Sequence, residues 1–151
     1  LNLGVRDIAK LLKVSKATIS KTELGKTRDF LYKHSAALID FFAFNNITFP
    51  NEYSIRYHAT YDTINGEGDY NRLTRFQLKA ARHILNINQH ELAKFINVDK
   101  NIITRAEQLP NEKYITPQDH SVIPNLKSWF QYNKIEFPDQ MSIFFKKYID
   151  N

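Results

Sequence analysis

The chain has 151 residues, 42% hydrophobic and 25% charged, with 21 Lys and Arg against 16 Asp and Glu for a net charge of +5. There is no cysteine, which excludes a disulfide framework and a thiolate metal site. The nearest approach to a membrane span, Ala36–Phe44, is short and broken by Asp40, and no secretory signal opens the chain, so no membrane partner and a cytoplasmic location are expected.

In chain order, Leu1–Glu23 predicts two short helices joined by a turn. The second of them is Ser15–Leu24, with Gly25 as its natural stop. His34–Asn45 predicts a longer helix with Leu38, Phe41 and Phe42 turned inward. Ile39 and Phe44 lie off that face and point to a contact with the other half of the chain or with a second subunit, a homodimer through this helix. After it, Ile47–Phe49 and Tyr53–His58 predict two short strands joined through Pro50 and Asn51. Residues 59–71 hold two of the four glycines and no apolar period, and so read as a linker between a first domain, 1–58, and a second, 72–151.

The second half opens on a helix with Thr74 and Gln77 as a capping box and an apolar stripe of Phe76, Ala80, Ile84 and Leu85. Asn88–Glu107 then reads as two helices about a tight turn. Asn88 caps the first, with Glu91 reaching back to it, and Leu92, Ala93 and Ile96 share one face. Asn97 sits at the turn because Asn tolerates a left-handed backbone, and Val98 plugs the corner. Asp99 caps a second helix, Asp99–Gln108, that Ile103 anchors inward. This is the helix-turn-helix pattern, whose second helix commonly enters the DNA major groove. A helix carrying Leu126, Trp129 and Phe130 follows, and Ile135–Phe137 with Met141–Phe145 repeats the strand pair. A two-stranded ribbon is marginal alone, so the β ribbons are expected to pair with each other, with a helix, or across a homodimer.

The two halves are copies. Leu1–Glu23 aligns with Leu85–Glu107 without a gap at an offset of 84, with eight of 23 positions identical, and Phe41–Ile55 aligns with Trp129–Ile143 at an offset of 88. Charge follows the repeat. Residues 1–28 carry +5 and residues 70–108 carry +4, whereas residues 29–69 carry −4 and residues 109–151 are neutral. Positive charge concentrated on the two helix-turn-helix segments is what attraction to phosphate requires. The first copy lacks a counterpart of the 74–85 helix. An upstream segment or a replacement helix is therefore expected, since without one Ile8, Leu12 and Ile19 would expose their apolar backs.

The stretch Leu78–Glu107, LKAARHILNINQHELAKFINVDKNIITRAE, resembles the Cro/phage-repressor superfamily of DNA-binding domains, the xenobiotic-response-element type. The likeness rests on Gln89, Leu92-Ala93, Val98, Ile103 and the pair Arg82 and Glu107, and with the first copy it covers nearly the whole chain. The I-x-F-P tail is similar to a short ribbon after helix four in some bacterial members. The resemblance implies a mainly all-α fold of two tandem lambda-repressor-like helix-turn-helix domains, each followed by a short β ribbon, and a transcriptional regulator bound to double-stranded DNA without a cofactor or metal.

It also implies roles. Arg82 and Glu107 match a structural ion pair. Gln89 matches a phosphate-binding amide, and Ser15 a phosphate-binding hydroxyl at a helix start. Lys16 and Lys100 match the first exposed position of the reading helix, Ala17 and Asn101 the second, Thr18 and Ile102 the third, and Lys21 and Arg105 a later one. Asn101 suits adenine, Arg105 suits guanine O6 and N7, and the methyls of Thr18 and Ile102 suit thymine. Three positions depart: Lys13 occupies the turn position where the family favours Gly, which implies mild strain there, Val5 stands where the first copy would need Gln89, and Asp99 caps its helix but repels phosphate. Two such helices on one chain imitate a dimer, and recognition helices about 34 Å apart would reach successive major grooves.

The five histidines show no ligand spacing, and neither a glycine-rich phosphate loop nor a nucleophile motif occurs, so an enzyme is not expected. The rival is a protein-interaction module, an antitoxin, anti-repressor or adaptor that kept the fold and lost base reading. Val5 and Asp99 favour it; the charge partition argues against it.

Overall fold

Three helices build the first of two compact units, residues 1–48. The structure is a computed structural model describing residues 1, 3–25, 29–59 and 72–146, apart from the side chains at 29, 31 and 32. The expected linker lies, except for Ala59, outside the described residues. Helix α1 spans Val5–Leu11, α2 Lys16–Glu23 and α3 Asp29–Phe44. The Asp7 carboxylate accepts from the Gly4 N–H at the start of α1, and Ser15 Oγ accepts from the Thr18 N–H at the start of α2. Between them Lys13 adopts φ 54°, so the anticipated strain is present, at about 1–2 kcal/mol for a left-handed residue with a side chain.

Ala9, Leu12, Ile19 and Phe30 form the core of this unit, with Val5, Ile8, Val14 and Leu38 packed against it. The apolar backs expected to lie open are mostly covered: Leu12 is 8% exposed and Ile19 4%, and Ile8 alone stays half-buried. The reason is that α3 begins five residues before its predicted start at His34, and this added turn brings Phe30 into the core. His34 meets the Phe30 ring at 4.7 Å.

The second unit, residues 49–151, contains α4 (Arg75–Ile84), α5 (Gln89–Phe95), α6 (Lys100–Gln108) and α7 (Val122–Tyr132). The predicted caps form. Thr74 and Gln77 make a capping box at α4, Asn88 and Glu91 make one at α5, and Asp99 accepts from the Asn101 N–H at α6. Asn97 takes φ 55° in the turn, matching Lys13 in the other copy. The buried side of α4 matches the predicted stripe only at Phe76, 5% exposed. Ala80, Ile84 and Leu85 are half-buried, and the fully covered apolar residues are Leu78 and Ala81, with Leu73 just ahead. Gln77, at 1% exposure, turns the helix this way: its Nε2 donates to the Asp139 and Ser142 carbonyls, and its Oε1 accepts from the Thr74 N–H.

Strands β1 (Ile47–Asn51), β2 (Ser54–Tyr57), β3 (Ile135–Glu136) and β4 (Ser142–Phe145) join in one sheet of order β1-β2-β4-β3. Of the three pairings left open by the sequence, the ribbons therefore pair with each other. β2 runs antiparallel to β4 in the register Ser54↔Phe144, Ile55↔Ile143, Arg56↔Ser142. Ile55 and Ile143 are equivalent in the repeat, so the pairing has a local two-fold centred on them. It relates the bond from the Tyr57 N–H to the Met141 carbonyl, 3.0 Å, to that from the Phe145 N–H to the Tyr53 carbonyl, 2.8 Å. Arg56 Nη1 crosses from one ribbon to Asp139 Oδ2 at 2.7 Å and Ser142 Oγ at 3.1 Å.

This pairing gathers the first copy's ribbon into the second unit. The units divide between Thr48 and Phe49, inside β1, whereas the sequence places the boundary after His58. Among the described residues the chain is seven helices and a four-stranded sheet, and a mainly all-α fold matches it only in part because the ribbons merge. No described helix is long and apolar enough to cross a membrane.

Since Phe30 closes the first core, Phe30→Ala should cost that unit about 3 kcal/mol or more. Hydrogen exchange checks it: amides of α1 and α2 lose protection while those of α5 and α6 keep theirs.

Candidate nucleic-acid interface

Helix α6 lies with one side in the core and the other in solvent. Ile103, at 0% exposure, Ala106 and Glu107 face inward; Lys100, Asn101 and Arg105 are exposed and Ile102 is half-buried. Of the four side chains expected to read bases, Asn101 and Arg105 thus share the outer face of the helix, Lys100 is exposed at its first position and Ile102 is half-buried. Arg105 Nε donates to the Asn101 carbonyl at 3.3 Å, laying the guanidinium stem along the helix.

That face is held from beneath. Arg82 of α4 grips Glu107 with two parallel bonds, Nε to Oε1 at 2.5 Å and Nη2 to Oε2 at 2.7 Å, and its Nη1 donates to the Ile87 carbonyl at 2.7 Å. The expected ion pair is present and buried, with side chains 9% and 4% exposed. Arg75 adds a second clamp, donating from Nε to the Glu107 carbonyl and from Nη1 to Asn111 Oδ1. Arg82 Nη2 also sits 3.2 Å from His83 Nε2. Desolvation and then the neighbouring positive charge hold that histidine below its ordinary pKa.

Gln89 makes two bonds that its anticipated role did not include. Its Nε2 donates to Glu107 Oε2 at 2.9 Å, and its Oε1 accepts from Thr104 Oγ1 at 2.9 Å. The amide is a strut from the ion pair to the flank of α6, which leaves one Nε2 hydrogen for a phosphate. Neither the Gln89–Thr104 bond nor the Arg75 clamp was foreseen. They join residues 15 and 32 apart, and the cue in the sequence is limited to the polar residues Arg75, Gln77 and Arg82 along α4.

The first unit presents the same positions with less support. Ser15, Lys16, Ala17 and Lys21 are exposed on α2, and Thr18 is half-buried. Ser15 Oγ lies 2.8 Å from Thr18 Oγ1 and also caps the helix, so its oxygen is already engaged. Val5 packs on the core where Gln89 braces the other copy. Glu23, equivalent to Glu107, is exposed and has no ion pair among the described residues.

No family model, curated protein or solved structure matches the chain.

Burial pushes the Glu107 carboxyl up, but bonds from Arg82 and Gln89 and the charge of Arg82 outweigh it and hold it below its ordinary value of 4.5. A depressed native pKa stabilises the fold fully above the unfolded value and is lost as pH falls through the native one. Unfolding free energy should therefore drop from about pH 5 downward, with Asp139, lowered by the Met141 N–H, Ser142 and Arg56 against its own desolvation, adding to the effect. Glu107→Gln should flatten that slope. Arg82→Ala, which strands a buried carboxylate, should cost about 3–5 kcal/mol at neutral pH by denaturant unfolding.

Proposed function

We propose that the chain is a sequence-specific double-stranded DNA-binding protein, a transcriptional regulator acting on chromosomal DNA, with α6 and α2 as reading helices of two helix-turn-helix units of the Cro/phage-repressor kind. One observation carries this reading. The same helix, left-handed turn and helix occur in both copies, and each presents a cation at the first exposed position and another five residues on: Lys16 and Lys21, Lys100 and Arg105. Four solvated cations on two equivalent helices suit phosphate and guanine, and the residues between them differ in chemistry as base-reading positions do.

On α6, Arg105 has the fork for guanine, Asn101 the amide for adenine, and Ile102 a methyl-bearing surface for thymine. Lys100 supplies charge near the backbone. On α2, Ala17 and Thr18 offer small apolar contacts, and Lys16 and Lys21 supply charge. Unequal helices imply a bipartite site with unequal halves, and one tether raises the effective concentration of the second unit once the first is bound. The braced helix α6 is assigned most of the base discrimination.

A second reading, a protein-interaction module on a degenerate helix-turn-helix, is favoured by Val5 packed into the core and by the carboxylate of Asp99 at the start of α6. Selection from a random duplex library followed by a salt titration separates the two. A regulator enriches one motif and loses affinity steeply with salt, by a slope of about 0.9 per phosphate neutralised. An interaction module gives neither.

Within the regulator reading, Arg105→Ala should relax specificity at one base position by about 1–3 kcal/mol. Gln89→Ala should weaken binding to all sequences alike, by loosening α6 and removing one phosphate donor. Unchanged affinity and motif in both variants would refute the assignment of these contacts.

A further inference from the structure

We propose that two copies of this chain associate through the outward face of α3, packed antiparallel on the same helix of the second copy, with Lys33 of each opposite Asp40 of the other.

Helix α3, DFLYKHSAALIDFFAF, is apolar well beyond its core-facing side. Phe30 and Leu38 point into the unit, yet Ile39 is 55% and Phe44 90% exposed, and Ala36, Ala37 and Ala43 are exposed with them. The repeat shows that the fold does not require this. At the positions of Ala37, Ile39 and Ala43 the other copy carries Asn125, Lys127 and Gln131. The same element can be polar there, and in the first copy it is not.

Charge selects the partner. Lys33 and Asp40 are seven residues apart, two helical turns, and so lie on one face. Both are exposed, and no ion pair holds either among the described residues. About a two-fold between Ala36 and Ala37, an antiparallel mate brings Lys33 to Asp40 twice, while the alanines at the crossing allow close helix approach, about 8 Å between axes. A parallel mate would set lysine on lysine and aspartate on aspartate. A face that is apolar, oppositely charged at its two ends and complementary to itself under a two-fold fits a second copy of this chain better than an unrelated protein.

The alternative dimer surface is already used. β2 and β4 pair within the chain, and the outer strands are blunted by Pro50 in β1 and Pro138 just after β3, which have no N–H to extend the sheet. Association through α3 stands apart from the DNA reading; where both hold, one assembly carries four reading helices.

Sedimentation equilibrium of the full chain without DNA, over about a hundredfold range of concentration, tests this, with circular dichroism as the check on folding. The wild type should approach twice its 17.8 kDa mass. Ile39→Lys should raise the dissociation constant at least about tenfold. Lys33→Asp should weaken association by about tenfold through two new acidic contacts, and adding Asp40→Lys should restore it. A monomer at every concentration overturns the proposal. So does a dimer indifferent to Ile39→Lys, or one that Lys33→Asp weakens and the double exchange fails to recover.

Discussion

A guanidinium and a carboxylate, bonded twice and buried, set the geometry of the second unit's outer face. Arg82 on α4 and Glu107 at the end of α6 are charges that water would solvate well, and bringing them inside costs each several kcal/mol. Their two parallel bonds, with Ile87, Gln89 and Arg75 occupying nearby donors and acceptors, offset that cost only in one arrangement of three helices. The pair adds less to net stability than to uniqueness. Held at Thr104 and Glu107, α6 cannot rotate about its axis without breaking buried bonds. The direction of Asn101 and Arg105 follows from a contact on the opposite side of the helix.

The two copies show what happens without it. In the first, the acid survives as Glu23 but is exposed, Val5 replaces the amide strut, and Phe30 from a lengthened α3 closes the core by apolar packing. Apolar packing is non-directional, so it fills space without fixing the rotation of α2 as a bidentate ion pair fixes α6. The duplicated units thus kept the same outward pattern of cations on foundations of unequal rigidity, which is why the proposed base discrimination is placed mainly on the second.

The sheet adds another consequence of duplication. Each ribbon alone is too small to persist, and the nearest strand of matching pattern is the other ribbon. Pairing equivalent residues, Ile55 with Ile143, gives the centre of the sheet the arrangement that two separate chains would make across a dimer axis. It also draws the first copy's tail across the expected domain boundary, because strand hydrogen bonds and the Arg56–Asp139 contact outweigh proximity along the chain.

How much could be read in advance depended on distance along the chain. The capping boxes at Thr74 and Asn88, the left-handed Asn97, the duplication and the cationic pattern on α2 and α6 were legible because each is written in residues a few positions apart or in a direct comparison of the halves. The Arg82–Glu107 pair came from a resemblance and the structure contains it; the seat of Gln89 against Thr104, the role of Phe30 and the inward side of α4 did not come from any local pattern. By itself the sequence determined the elements, their caps and the repeat, since these rest on backbone bonds and side chains within one or two turns. Tertiary structure alone decided which buried polar groups would satisfy one another and which strands would pair. Those choices join residues 15 to 92 positions apart, and many partners are chemically equivalent until packing brings one of them within reach.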